Sequence, residues 1–464
     1  MSELYKDNND ELIPSLSYKN PSTASYIIGR NSSTFHPLGG NTYKPSTGTK
    51  TIKFFLAGED LLDPSSVRVQ FDLICDDAAA KTLIPLSAPH AFFSRVRCLA
   101  RGEVVDDITE YNRVSELFTV LKSNGSVQND MLESLWYDTH ELAPNAAQLI
   151  GVKGGEKRTV LFKPLLGLLN QSKYIFLKYV PITIELTLVD KATDSVVDPS
   201  SDIFVNTTGV ASTVYTAANV SSEWKIENPL IRCDIVKIDS ELQNKYDDHF
   251  SSGGNINIKY TTYYSQILSL LGNATPSLNV SRSLTYLTRV FVSFLKPTGP
   301  SAAGNIKEYW NKDFNCFYHT LREENRASTL LSPKYISTKD LIQSAQLQVG
   351  SKLIPDYPIT SSAECFYFLR KALNTDNVFP AHIHSVNITG EEYINHRFIM
   401  AFDCEKVNGK SASFTGMNVK NGELITLKLR LQSGYPLLNP TDCHIILEAE
   451  QVVEISGSYV RVAD

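Results

Sequence analysis

Paired cysteines, a basic excess and long apolar runs are all missing from this sequence. The seven cysteines stand at positions 75, 98, 233, 316, 365, 404 and 443, an odd number with no C-x-x-C pair. That argues against a disulfide framework. Stretches such as VRCLA and LIRCDIV set cysteines among apolar neighbours, as small hydrophobes in strands. Such usage fits folding in a reducing compartment. Lysine and arginine number 44 against 50 acidic residues, for a net charge of −6 and a pI near 5.9. A nucleic-acid surface carries the opposite balance. The first thirty residues set Lys6, Lys19 and Arg30 against Glu3, Asp7, Asp10 and Glu11, so no basic arm is present there. The start also lacks the charged-then-apolar pattern of a secretion signal. Sequons at Asn124, Asn206 and Asn387 therefore read as polar loops. The most apolar run, YIFLKYVPITIELTLV, is broken by Lys178, Pro181 and Glu185. It falls short of the roughly 18 uncharged residues a membrane span needs.

What is present is β pattern. At 464 residues the chain exceeds one core and predicts two or three domains. Residues 1–50 are rich in Asn, Ser, Thr, Pro and Gly and read as an extended N-terminal arm. Val67, Val69, Phe71 and Leu73 then alternate with polar residues, as do Ile182, Ile184, Leu186 and Leu188. The passage RVRCLARGEVVDDITEYNRVSELF reads as a hairpin turning at ARGE. A helix follows on Val114, Leu117, Phe118 and Leu121, with Asp106 or Asp107 placed to begin it. LQVGSKLIPDYPITSSAECFYFL repeats this sentence; Gly102 to Glu116 and Gly350 to Glu364 are both 14 residues. Its helix has an S-x-x-E cap in Ser361 and Glu364, ahead of Phe366, Leu369 and Leu373. A further helix is expected from a Ser240–Gln243 capping box, with Leu242, Tyr246 and Phe250 on one face. SSGGN at 251–255 then divides the chain into domains 51–250 and 251–464. Two β-sandwiches, each with a short helix after a central hairpin, describe the pattern, and long loops at 191–223 and 298–338 are inserted into them.

Several stretches together resemble the double jelly-roll major capsid proteins of adenoviruses, tailless bacteriophages, virophages and Polinton-like viruses. They are FFLAGEDLLDPSSVRVQFDL with the first hairpin, FKPLLGLLNQSKYIFLKYVPITIELTL, and IENPLIRCDIVKIDSELQNKYDDHFSSGG leading to SRSLTYLTRVFVSFLKP. The second hairpin, QLQVGSKLIPDYPITSSAECFYFLRKAL, and the C-terminal HIILEAEQVVEISGSYVRV complete the set. Their order, more than any single motif, carries the resemblance, which is strongest to the Polinton-like and virophage branch. It implies an all-β fold of two tandem eight-stranded jelly rolls. It further implies a homotrimer forming a pseudo-hexagonal capsomer that tiles an icosahedral shell, with the N-terminal arm running beneath it. The expected partners are the chain itself, neighbouring capsomers, and penton and minor capsid proteins. No sequence-specific nucleic-acid contact is expected, and an internal membrane is left open. The expected location is the virion, after synthesis in host cytoplasm and assembly in cytoplasm or nucleus.

Two other classes compete. A tandem β-sandwich that binds carbohydrate would fit the strand pattern, though a secreted lectin would be expected to show a signal and disulfides. A cupin-type metal enzyme needs ligands, and His382 and His384 at i, i+2 on a strand would share a face. The cupin Glu is missing, because Ile388 and Thr389 hold its place and Glu391 comes later. HELAP at 140–144 has Pro144 where a second zinc ligand belongs, and NGKS at 408–411 has Cys404 in place of the first phosphate-loop glycine. Asp76–Asp77, Asp106–Asp107 and Asp247–Asp248 are candidates for divalent ions at subunit contacts. The tyrosines of KYTTYY, Lys259 to Tyr264, are candidates for interface anchors, against the plain preference of strands for Tyr. No catalytic, cofactor or metal residue is assigned, and the expected protein is not an enzyme.

Overall fold

Strict alternation builds the strands that frame the molecule. In Leu61–Cys75 the side chains of Val67, Val69, Phe71 and Leu73 are buried while Arg68 and Gln70 reach the surface. Ile182–Leu188 repeats the pattern without a break. The computed structural model describes residues 26–46, 49–122, 151–196, 220–270, 275–295, 342–375, 397–406, 415–420, 423–431 and 442–463, with a few isolated positions between them.

The first half holds eight principal strands. They are β1 (Ile27–Phe35), β2 (Thr51–Leu56), β3 (Leu61–Cys75), β4 (Phe93–Ala100), β5 (Glu103–Thr109), β6 (Lys157–Phe162), β7 (Ile182–Leu188) and β8 (Trp224–Ile238). One sheet runs β1-β8-β3-β6 and the other β2-β7-β4-β5, antiparallel throughout. The second half repeats the set. It comprises β9 (Asn255–Ser269), β10 (Ser277–Val280), β11 (Leu287–Leu295), β12 (Ile342–Val349), β13 (Lys352–Ile359), β14 (Ile399–Asp403), β15 (Ile425–Leu431) and β16 (Asp442–Ser456). Its sheets run β9-β16-β11-β14 and β10-β15-β12-β13, the same order with eight added to every number. A short β17 (Val460–Ala463) pairs with β16. This interleaving of distant strands is the jelly roll, and the chain folds as two of them.

Three expectations need correction. The N-terminal arm does not extend to residue 50, since β1 pairs along β8 from Ile27 to Phe35 and forms the edge of the first roll. Arg30 ties it down, donating to Asp234 at 2.8 Å and to Asp63 at 2.6 Å. Asp106 and Asp107 do not start a helix. They lie in β5, and α1 (Tyr111–Val120) begins after Glu110, which takes a left-handed conformation at φ 49°. In α2 (Ser240–Ser251) Ser240 is the first helical residue, Asp239 is the cap, and neither makes a side-chain capping bond.

The third helix, α3 (Ser362–Ala372), carries its expected cap: Ser361 Oγ accepts the Glu364 amide at 3.2 Å. Glu364 in turn accepts from the Thr360 amide at 2.8 Å. The hairpin-plus-helix unit therefore recurs, but its matched spacing joins unlike positions. Gly102 is the second residue of its turn and Gly350 the first of its own. Glu116 lies mid-helix, whereas Glu364 sits in the first turn.

Apolar burial is continuous across the halves, with one cluster running from Tyr43 and Ile52 to Val453 and Ile455. Burial in a shared cluster makes the two rolls one packed body rather than beads on a linker.

Candidate functional site at the seam between the rolls

The seam is where the first roll's hairpin and helix meet the second roll's edge strand. Val105 of β5 offers its carbonyl to Tyr260 of β9 at 3.0 Å, and the same hydroxyl lies 2.7 Å from Gln451 Oε1. Gln451 Nε2 donates to the Tyr264 hydroxyl at 2.8 Å, and the Arg282 guanidinium stands 4.1 Å over that ring. Phe118 of α1 packs on Tyr263 and Phe291 at centroid distances of 4.7 and 5.2 Å. Thr109 donates to the Ser265 carbonyl at 3.3 Å, and Arg101, in the hairpin turn, to that of Gly457 at 2.9 Å. Tyr260 and Tyr263 thus anchor a surface internal to the chain, while Tyr264 is bonded within the second roll.

Gly167 makes the closest approach. A Cβ there would lie 1.9 Å from the Thr261 carbonyl oxygen and 2.7 Å from the Tyr260 ring, so no side chain fits without moving the second roll. One glycine inside the apolar run PLLGLLN was the available sign of such an approach.

Ionisable groups are buried in the seam and beside it. Asp106 accepts the Leu168 amide at 3.3 Å, and the Thr262 hydroxyl faces its carboxyl. Burial pushes the Asp106 carboxyl up to about 6, against the opposing pull of Thr262 and the Leu168 and Gly167 amides. His444 of β16 lies with Nε2 2.6 Å from Ser265 Oγ. Burial, reinforced by the Arg113 charge, depresses its imidazole to about 3, so it stays neutral at any ordinary pH. Glu448 is buried beside Arg289, which donates to it at 3.0 Å. Burial raises its carboxyl and Arg289 opposes that rise. Under α1, Glu116 is buried with His90 Nε2 at 2.8 Å and the Ser87 hydroxyl on the same oxygen. Ser87 and His90 both bond the carboxylate rather than each other, an anchor for the loop and no relay to a nucleophile.

The other candidates disperse. Asp76 is held by Lys44 and by Lys225 at 3.4 Å, and Asp77 by Lys81 at 3.0 Å and Ser221 at 2.9 Å. Arg95 grips Asp107 with two bonds of 2.7 and 2.6 Å. Asp247 pairs with Lys178 at 2.9 Å and with the Tyr179 hydroxyl, while the Asp248 carbonyl accepts the Ser252 amide. The carboxylates of Asp76, Asp77, Asp107 and Asp247 have cation or hydroxyl partners already in place, and no group of three or more His, Cys, Asp or Glu converges among the described residues. His382, His384, Glu391, His140 to Pro144 and Asn408 to Ser411 lie outside the described residues. The six described cysteines form no disulfide and are buried; Cys75, Cys98, Cys233 and Cys443 lie in strands, whereas Cys365 is in α3 and Cys404 follows β14. No described helix is long and apolar enough to cross a membrane.

The arrangement of paired rolls can be set beside known structures. VP54 of PBCV-1, as fitted into a reconstruction of the virophage Sputnik, superposes with a TM-score of 0.58 at 12% identity, over 95% of this chain and 98% of that one. A chain of the Sputnik virophage itself gives 0.56 at 11% identity, covering 98% and 92%. The Faustovirus major capsid protein gives 0.54 at 10%, covering 95% and 93%. The fold is the double jelly roll of viral major capsid proteins. No protein-family model matches the sequence, nor does any curated protein sequence. The double jelly-roll likeness is one of backbone, carried across nearly the full length at an identity too low for residue-by-residue transfer.

Proposed function

We propose that this chain is the major capsid protein of a virus of the virophage-like kind and acts by assembling. Three copies form a closed trimer whose six similar lobes occupy a six-coordinated position, and these capsomers tile an icosahedral shell. The observation that carries the reading is the doubled strand order with its buried seam. Two near-equivalent lobes locked side by side let a threefold oligomer present quasi-sixfold contacts. The full-length fold likeness supports it, and the seam's chemistry agrees: its polar groups are spent on holding the rolls together. In this reading the protein resides in the virion, is structural rather than catalytic, and meets further copies of itself, with penton and minor proteins at vertices and gaps. In this reading the lobes join at residues 251–255. Negative-stain microscopy of the purified chain tests the proposal. Hexagonal outlines with six lobes support it; isolated two-lobed particles would overturn it.

A further inference from the structure

At several places the sheets of this molecule interleave outward-facing cations with carboxylates. Lys53, Glu185, Arg97 and Asp107 form such a ladder across β2, β7, β4 and β5, at 2.7, 3.1 and 3.7 Å. In the second roll Lys259 of β9 pairs with Glu450 of β16 at 2.6 Å. Arg289 of β11 lies between Glu448 and Glu405, at 3.0 and 3.2 Å. One row breaks the pattern. On the outer face of the β1-β8-β3-β6 sheet, Arg232 of β8 stands directly opposite Arg68 of β3. Lys163 continues the row, immediately after Phe162, the residue of β6 opposite Val69.

Like charges set directly opposite each other destabilise a sheet. None of these three cations makes an ion pair among the described residues. The acids of that face are already engaged, Asp234 by Arg30 and Ser32, and Asp63 by Arg30 and Ser65. Neutral acceptors hold the guanidinium groups instead. Arg68 donates to the Ser65 and Val67 carbonyls at 3.1 and 3.0 Å, and Arg232 donates to the Gln70 side chain. Burial and the Arg68 charge depress the Lys163 ammonium, with Asp63 opposing them. Three like charges thus stand together on a chain whose net charge is −6. Strand spacing sets the ends of the row roughly 10 Å apart. Beside it, Gln70 is flanked by the half-buried Leu161 and Leu230. A guanidinium oriented by neutral acceptors turns its other N–H groups outward as a fork, the geometry that grips phosphate oxygens.

We propose that this row binds a compact polyphosphate, two or three linked phosphate groups lying across β8, β3 and β6. Arg232 and Arg68 take the oxygens of adjoining phosphates, and Lys163 takes the terminal one. A nucleic-acid strand would need a longer basic track, against the acidic balance of the chain. Neither the seam nor the capsomer reading is needed for it.

Calorimetric titration of the full chain with sodium tripolyphosphate, at pH 7 and low salt, tests the site. Saturable binding is expected, weakening as salt rises. Arg68→Gln with Arg232→Gln should weaken it by about a hundredfold, roughly tenfold for each guanidinium lost. Lys53→Gln with Lys245→Gln removes the same charge at two exposed positions elsewhere and should leave binding unchanged. An absence of binding, or equal losses in both pairs, overturns the site. Should the arginine pair misfold, Lys163→Gln alone is expected to weaken binding by about tenfold; wild-type affinity there overturns the row. Flotation with vesicles of phosphatidylinositol bisphosphate in phosphatidylcholine separates the sources of phosphate. Flotation that is lost in the arginine pair assigns the phosphates to a lipid headgroup. Tripolyphosphate binding without flotation assigns them to a free polyphosphate. A single-stranded oligonucleotide held more tightly than tripolyphosphate by the same arginines overturns the compact ligand.

Discussion

At the scale of single residues, the seam explains why particular side chains are where they are. Gly167 has no room for a methyl group against Thr261. Gly167→Ala is expected to cost roughly 3 kcal/mol or more as an overpacking change, and denaturant unfolding of the purified variant measures it; a neutral result would mean the rolls do not meet there. Asp106 gives a pH signature. Its folded pKa of about 6 lies above the ordinary carboxylate value of 3.8, so the folded state holds the proton more tightly. The resulting stability is fully present below the unfolded value and is lost as pH rises through about 6, an effect of about 3 kcal/mol. Asp106→Asn should therefore flatten the fall in urea midpoint between pH 4 and 7 relative to wild type, and an unchanged slope would contradict the burial argument. Phe118 illustrates how far sequence reading reaches. Its place on the apolar stripe of a helix is legible, and the stripe suggests the core of its own roll. Instead the ring is half-buried against Tyr263 and Phe291 of the other roll, and nothing local in either segment announces a contact so distant in sequence. Phe366, its supposed twin, packs within the second roll on Tyr393 at 4.8 Å. Phe118→Ala is expected to lose roughly 2–4 kcal/mol, and its cycle with Tyr263→Ala to show about 1 kcal/mol of coupling. Additive losses would place Phe118 outside the seam.

At the scale of elements, the strands that alternate cleanly were the legible ones. Val67 to Leu73 and Ile182 to Leu188 bury one face and leave the other partly open, which writes a period of two into the sequence. β1 was illegible for the converse reason. Gly29, Arg30, Asn31, Ser32, Ser33 and Thr34 form an edge strand with no buried residue, so no alternation is imposed and the composition reads as an arm. What holds it is the β8 ladder and the Arg30 bridge to Asp63 and Asp234. Removing residues 1–36 is therefore expected to lower the melting temperature of the first roll and bare the β8 edge to aggregation, as scanning calorimetry with light scattering would record. A truncated chain that melts like the full one would return β1 to the status of an arm. The helices divide in the same way: Ser361 and Glu364 form a cap within four residues and could be read locally. The start of α1 depends on Glu110 turning left-handed after a strand, which its sequence does not signal. The equal spacing of Gly102–Glu116 and Gly350–Glu364 pointed to a true repeat through residues that are not equivalent, because the turns and helices are offset in the two copies.

At the scale of the whole molecule, the doubled roll is the message. Its two halves share strand order, are joined by α2 packing Tyr246 and Phe250 on Phe176, and are sealed along a seam whose polar groups are internal. Tandem order was visible in the succession of strand, hairpin, helix and strand, while the seam, built from contacts up to 356 residues apart, was not. Burial of this continuous apolar cluster should make the chain unfold as one body. The proposed trimer requires this body to close with two others, and the solution mass of the purified chain is its direct test. Light scattering on a sizing column should give about 155 kDa, three times the 51.7 kDa chain, as closed threefold assembly requires. A stable species at the mass of one chain, persisting at micromolar concentration, would contradict it.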